Sequence, residues 1–215
     1  MPIQLSKIIP GVLMIYALAI GLFTYQYRVD ELNQKIYRDA NHSLTQLMTR
    51  LQWSLEYLVK AGDIEQVQAE ISALGSDPNL KAVLLVNRNG RVIASTKRGD
   101  TGERASHVLE RINLDYELMR DEVKGRVISE GTGIVSSLKA QQGLVGWYPV
   151  TLGLSAGSLR QAPIGYLFIY QDMSLPMLQG HTAVVREVGY YVLLLTAFSL
   201  ALWLFFHLSL SSRMN

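Results

Sequence analysis

The chain has no cysteine among its 215 residues, so it can form no disulfide and has no thiol chemistry. It also carries little net charge, because 20 Lys and Arg stand against 18 Asp and Glu. This balance, without a basic cluster, argues against a nucleic-acid partner. The four histidines fall on separate predicted elements, and no two have the i, i+4 spacing that suits metal ligands on a helix. The sequence therefore predicts no metal site.

Charge is missing altogether from two long stretches, residues 8–25 and 189–210. Each is about long enough to cross a hydrocarbon core of roughly 30 Å as a helix. We therefore predict two transmembrane helices. They are preceded by a cytoplasmic tail at residues 1–7, separated by an exported domain at residues 26–188, and followed by the start of a cytoplasmic segment at residues 211–215.

The orientation of these spans follows from the basic residues in the two tails. Lys7 precedes the first span and Arg213 follows the second, so the positive-inside rule places both ends in the cytoplasm. The first span has an alternative interpretation as a cleaved signal peptide, since residues 17–19 read Ala-Leu-Ala. Apolar residues continue through Ile20 and Leu22 without a break, which favours an uncleaved anchor.

A long amphipathic helix is predicted after the first span. Apolar residues recur there in steps of three and four, and neither Pro nor Gly interrupts the pattern before Gly62. Two interpretations of this stripe remain open: packing against its own domain, or a parallel helix pair in a homodimer. The residues expected at a dimer contact are Leu44, Leu47, Leu51 and Leu58.

The remaining pattern alternates short helices and strands. A short helix begins after Asp63, and residues 81–99 form a hairpin whose Asn89-Gly90 turn suits positive φ at both positions. A charged helical crossover covers residues 101–123. Strands are expected at residues 126–135, 144–152 and 164–171, which gives an α+β domain with one antiparallel sheet and helices on its faces.

The last strand leads almost directly into the second span. Asp172-Met173-Ser174 is a cap sequence, and Pro176 is tolerated in the first turn of a helix. A helix that begins there continues into residues 189–210. We therefore expect Ser174 and Pro176 to couple the sheet to the transmembrane helix.

Three segments resemble the extracytoplasmic Cache domains, which are PAS-like sensors of bacterial receptors. AVLLVNRNGRVIAS is similar to their hairpin, GLVGWYPV to a later strand, and PIGYLFIYQDMS to the final strand before the exit helix. The resemblance covers roughly residues 26–190. It implies a PAS-like antiparallel sheet behind a long N-terminal helix, a homodimer, and a location in the bacterial inner membrane with the central domain in the periplasm.

The same resemblance implies a function as the input module of a histidine kinase, a chemoreceptor or a cyclic-di-GMP enzyme. In that family a linker and an output domain follow the second span, whereas this sequence ends with SSRMN. Two expectations stay open. The chain is the input part of a longer receptor, or it is a standalone two-span membrane protein, similar in layout to Smp-type proteins, whose periplasmic domain binds another envelope protein.

No catalytic constellation is predicted. Gly153-Leu154-Ser155-Ala156-Gly157 fits G-x-S-x-G, but it lies in a loop between strands rather than at a strand-to-helix turn. GTGIVSS lacks the spacing and the Lys of a phosphate loop, so no cofactor is expected. The chain itself is therefore expected not to be an enzyme.

A pocket for a small molecule is the more specific expectation, because PAS-like domains hold ligands between the sheet and the helical crossover. Strand alternation makes Trp147 and Tyr148 point in opposite directions. Arg120, near the end of the crossover, suits an anionic ligand. The alternative is that the aromatic residues are ordinary core and the cation is solvated. The candidate ligand residues are Arg120, Trp147, Tyr148, Tyr166, Tyr170 and Asp172.

Overall fold

The computed structural model describes residues 5–115, 123–138, 141–152 and 164–211. Helices and strands alternate along these ranges. In chain order the elements are α1 (Leu5–Ala61), α2 (Ile64–Ala73), β1 (Leu80–Val86), β2 (Val92–Ser95), α3 (Ala105–Arg111), β3 (Ile134–Leu138), β4 (Gly143–Thr151), β5 (Ile164–Asp172) and α4 (Ser174–Ser211).

The five strands form one antiparallel sheet in the order β2-β1-β5-β4-β3. β5 is therefore the central strand. It pairs with β4 along its whole length, from Ile164 opposite Thr151 to Asp172 opposite Gly143, and with β1 on its other side. The predicted α+β class, with a PAS-like antiparallel sheet, is confirmed.

Helix α1 is continuous over 57 residues and ends where the sequence predicts. Gly62 adopts a φ of +77°, and the amides of Gly62 and Asp63 donate to the carbonyls of Val59 and Leu58 at 3.1 Å. These two bonds form a Schellman motif, which favours glycine at the left-handed position. Asp63 then accepts a hydrogen bond from the amide of Gln66 at 3.0 Å and caps α2.

The sheet has a buried layer on each face. A Cβ placed on Gly146 would lie 3.1 Å from Cε of Met48, so α1 approaches the backbone of β4 closely. Trp147, the next residue, points to the opposite face. The cluster on that face joins the sheet to α3 and contains Ala82, Leu84, Val86, Val92, Ala105, Val108, Leu109, Leu114, Val127, Val145, Trp147, Tyr166, Phe168 and Tyr170.

One predicted strand was wrong in position. The segment Val123–Ser129 is π-helical, and the strand expected at residues 126–135 begins only at Ile134. The β-branched residues Val127 and Ile128 gave the strand signal. In the folded chain Val127 is instead fully buried in the cluster beside α3, so tertiary packing decides the conformation.

The hairpin lies where the sequence predicts, but its turn differs. Gly90 has a φ of +76°, whereas Asn89 does not adopt positive φ. The loop contains three residues, 88–90, since the amide of Asn87 donates to the carbonyl of Arg91 at 2.8 Å and the amide of Gly90 donates to the carbonyl of Asn87 at 2.9 Å. Oδ1 of Asn87 also accepts from the amides of Asn89 and Arg91 at 2.9 and 3.0 Å. This side chain stabilises the longer turn, which the Asn-Gly pair alone did not reveal.

The chain divides into two compact units. One contains the described residues up to Ile36 and from Pro176 onwards, and the other contains residues 37–175 with the sheet. Within the first unit α1 and α4 are in contact at glycines: a Cβ on Gly21 would lie 2.6 Å from Val192. Glycine therefore allows these two helices to approach closely.

One helix among the described residues is long and apolar enough to cross a membrane, within Ser174–Phe205. Almost none of it is buried inside the protein, since 6% of its most apolar window is covered. It includes most of the second predicted span. The first predicted span, residues 8–25, lies within α1 and stays a prediction.

Candidate ligand-binding site

The junction between β5 and α4 is held by Asp172. β5 ends at this residue, and α4 begins two residues later at Ser174. Oδ1 of Asp172 accepts a hydrogen bond from the amide of Ser174 at 2.8 Å, and Oδ2 lies 3.6 Å from Nζ of Lys81. The amide of Met173 donates to the carbonyl of Gln142 at 2.8 Å. The start of the helix is therefore fixed to β1 and to the residue before β4.

These contacts determine the ionisation of Asp172. Partial burial acts to raise the pKa of its carboxyl group. The hydrogen bonds from Ser174 and the positive charge of Lys81 act in the opposite direction and outweigh burial, so the pKa is lowered. Burial and the neighbouring Asp172 charge together raise the pKa of the Tyr170 hydroxyl. Asp172 is thus held in its ionised form.

Lys81 reaches Asp172 because it lies on a β-bulge. Leu80 pairs with Gln171 and Ala82 pairs with Tyr170, so Lys81 is an extra residue on β1 at this point. A bulge changes the direction of a side chain relative to the regular strand. The bulge leaves the side chain of Lys81 about half exposed, with a relative exposure of 49%.

A small cavity of about 110 Å³ lies where β1 begins, β2 ends and α3 crosses the sheet. It is smaller than the roughly 300–1,000 Å³ typical of pockets for drug-sized ligands. Three of the described residues that line it are basic, which suits a small anion. The lining residues are Lys81, Ala82, Thr96, Lys97, Asp100, Val108, Arg111 and Ile112.

Among the described residues, one carboxylate lines the cavity, and it is already bonded to neighbouring groups. Asp100 is 6% exposed, and its Oδ2 accepts a hydrogen bond from the hydroxyl of Ser95 at 3.1 Å. Its Oδ1 lies 3.4 Å from Nη1 of Arg111, which also pairs with Glu103. A buried carboxylate needs such partners. Asp100 therefore orients the Arg111 guanidinium at the cavity wall.

Lys97 also lines the cavity, beside Lys81 and Arg111. Its backbone amide donates to the hydroxyl of Ser95 at 3.1 Å, which fixes the start of the segment after β2. Its side chain is exposed, and its ammonium forms no ion pair with a carboxylate in the part of the chain that the structure describes. Lys97 is therefore available to an anion from solution.

The aromatic residues expected at a pocket lie largely in the core. Trp147, Tyr166 and Tyr170 belong to the buried cluster, with the Trp147 and Phe168 ring centroids 5.8 Å apart. Tyr148 lies outside that cluster. Its ring packs against Gly133, where an added Cβ would lie 2.7 Å from the ring carbons. Their packing matches the alternative of ordinary core residues, and ligand binding by them stays a prediction.

Of the other predicted residues, Asp172 lies beside the cavity through its contact with Lys81. Arg120 lies outside the described residues, so its role stays a prediction, and Ser155, for which no catalytic role is predicted, lies outside them too. The sequence pattern did not predict Lys81, Lys97 and Arg111 at a site. They lie on β1, after β2 and on α3, and one available signal was that Lys81 interrupts the apolar start of β1.

The proposed dimer residues occupy two kinds of position on α1. Leu44 and Leu51 are each 2% exposed and pack inside their own domain, whereas Leu47 and Leu58 are partly buried. Packing against its own domain, the first of the two interpretations, therefore describes Leu44 and Leu51. A contact with a second copy stays a prediction, and it would need the outer face of the helix.

No family model and no curated protein matches the chain. Among solved structures, the sensor domain of the histidine kinase DctB from V. cholerae matches with a TM-score of 0.36 and 14% identity. The match covers 73% of this chain and 60% of that one, so the chain spans less than two thirds of its length. Similarity at this level does not establish a shared function.

Proposed function

We propose that this chain is the signal-input module of a bacterial inner-membrane receptor. In this proposal the sheet domain binds a small anion outside the membrane, and α4 carries the resulting change into the bilayer. The observation that supports it most directly is the passage from β5 to α4 through Met173 alone. The central strand and the exit helix are thus covalently joined without a flexible linker.

The length of α4 supports transmission along this helix. It has 38 residues, which corresponds to about 57 Å at 1.5 Å per residue. Its first turn contains Ser174 and Pro176, and Pro is compatible with a helix there because that position needs no amide donor. A change in the sheet would reach α4 through β5, which is hydrogen-bonded on both sides.

The cavity supports an anion as the signal. It is lined by Lys81, Lys97 and Arg111, and the one carboxylate among its described lining residues is engaged with Arg111. Cations held around a small, partly enclosed space favour charge-assisted hydrogen bonds to an oxyanion. A small carboxylate or phosphate has the size and charge for this site. The module performs no catalysis in this proposal.

The membrane arrangement belongs to the same proposal. Residues 8–25 and 189–210 are the two spans, both tails are cytoplasmic, and the sheet domain is periplasmic. The kind of receptor, whether histidine kinase, chemoreceptor or cyclic-di-GMP enzyme, depends on the output domain or partner on the cytoplasmic side.

Calorimetric titration of the full chain in lipid nanodiscs tests the anion site. The probes are acetate, succinate and inorganic phosphate at constant ionic strength. We expect at least one to bind, and Arg111→Ala and Lys97→Ala to weaken that binding. Arg88→Ala removes an exposed cation at the hairpin tip and is the matched control. Absence of binding by all three probes, or equal losses in the control, would contradict the proposal.

A second candidate function is binding of another envelope protein by a standalone two-span protein. It is favoured by Trp53 and Tyr57, which are 73% and 74% exposed. They lie one turn apart on the face of α1 opposite the buried Leu51 and Leu55. Large aromatic side chains at such exposure are typical of interaction surfaces. A homodimer through α1 would use the same face, because Leu44 and Leu51 pack inside their own domain.

The mass of the full chain in nanodiscs tells whether the face with Trp53 and Tyr57 binds a second copy of the chain or another envelope protein. If Trp53→Ala with Tyr57→Ala converts a dimer to a monomer, the face binds a second copy. If the wild-type chain is a monomer and the double variant loses a crosslinked envelope protein in native membranes, the second candidate function is supported. Ile64→Ala, another exposed apolar residue, is the control.

A further inference from the structure

The candidate cavity and the start of α4 share one side chain. Lys81 lines the cavity, and its ammonium also lies 3.6 Å from Oδ2 of Asp172. The other oxygen of that carboxylate accepts the hydrogen bond from the amide of Ser174 at 2.8 Å. A single lysine and a single carboxylate therefore connect the cavity to the first residue of the helix.

The contact between Lys81 and Asp172 is suited to exchange of partners. The two side chains are 49% and 24% exposed, and their separation is longer than that of a tight charge-assisted hydrogen bond. Exposed ion pairs of this kind are weak and easily replaced. The bulge lies near the start of β1, where Lys81 can contact both the cavity and Asp172.

We propose that Lys81 is shared between the two sites, so that an anion in the cavity draws Lys81 away from Asp172 and releases the start of α4 from β1. This inference rests on the proposed function and adds its mechanism. The anion gains a third cation beside Lys97 and Arg111. Asp172 loses its cationic partner, gains a like charge nearby and holds Ser174 less firmly.

The ionisation of Asp172 is consistent with this mechanism. Lys81 is one of the groups that lower its pKa, together with the hydrogen bonds from Ser174. Tyr170 faces the same carboxylate, and its own pKa is raised by burial and by the Asp172 charge. Lys81 and the Ser174 amide are the two partners that hold the Asp172 carboxylate in position, so withdrawal of the Lys81 ammonium removes one of them.

Millisecond hydrogen exchange of the Ser174 amide, in the full chain in nanodiscs, tests this inference. In the wild-type chain we expect the bound probe anion to speed exchange by up to about fivefold, the effect of losing a partly exposed ion pair. In Lys81→Met, exchange should already be fast without the anion and should not respond to it. Lys81→Arg should restore the slow exchange and the response.

Lys97→Met is the matched control because it removes a cavity cation that does not contact Asp172. It should weaken anion binding and leave exchange in the free chain unchanged. Binding without any change at Ser174 would overturn the sharing of Lys81 and leave the anion site intact. Failure of every probe to bind would overturn the proposed function and this inference with it.

Discussion

Gln68 of α2 completes the hydrogen bonding of an edge strand, and its removal should destabilise the sheet domain. Nε2 of Gln68 donates to the carbonyl of Ser95 at 2.6 Å, and Oε1 accepts from the amide of Ser95 at 3.3 Å. The side-chain amide thus pairs with β2 as a neighbouring strand would. Because Ser95 is fully buried, its backbone groups have poor access to water.

Replacing Gln68 by Ala removes both bonds. At about 0.5–1.5 kcal/mol for each net hydrogen bond, the free energy of unfolding should fall by about 2 kcal/mol. Gln68→Glu should also destabilise the domain, since a carboxylate would face the Ser95 carbonyl in place of the donor. Gln66→Ala, an exposed glutamine on the same helix, should change stability by less than about 0.5 kcal/mol.

Urea unfolding of the full chain, followed by tryptophan fluorescence, measures these differences. Trp147 is buried in the sheet domain and reports its unfolding when Trp53 and Trp203 are replaced by Phe in every variant compared. Equal midpoints and slopes for Gln68→Ala and Gln66→Ala would refute the reasoning, because they would mean that water or the backbone satisfies Ser95 without the glutamine.

Three further predictions concern the core, the helix cap and the exit helix. Gly146→Val should lower the free energy of unfolding by about 1–3 kcal/mol in the same urea assay, because the added valine side chain would crowd Met48. An unchanged midpoint would contradict this packing. The pKa of Asp172 is lowered in the folded chain, so the stabilisation that its carboxylate provides is present above the unfolded pKa and is lost as pH falls through the folded pKa. Asp172→Asn should reduce this acid dependence in urea titrations at stepped pH, and an identical pH profile would count against it. Four Gly-Ser residues inserted after Ser174 should abolish anion-dependent output of a fusion to a reporter kinase domain, whereas retained output would exclude coupling through a stiff helix.

Long periodic or alternating segments made much of this fold predictable. The stripe through Leu44 and Leu51 predicted α1, and the apolar runs around Val145 and Phe168 predicted the two later strands. Val127 shows where such signals fail, because its β-branched side chain suits a strand locally but is buried in a π-helical segment. Local preference was outweighed there by packing beside α3.

The candidate site was less predictable, because it depends on strand pairing. Lys81 contacts Asp172 only because β1 and β5, far apart in sequence, are neighbours with a bulge at this point. Arg111 reaches the cavity from α3, and Lys97 from the end of β2. Each is an ordinary surface cation in the sequence, whereas Asp172 was recognisable from its place before the predicted exit helix.

The central claim is that anion binding in the sheet domain moves the membrane helix. Because the chain has no cysteine, spin labels can be attached specifically at Tyr27→Cys on α1 and Tyr190→Cys on α4, both exposed positions. Electron-spin distance measurements in nanodiscs should then show a shift of about 1–2 Å on addition of the bound probe anion, and no shift in Arg111→Ala. An unchanged distance at full occupancy of the site would contradict the account.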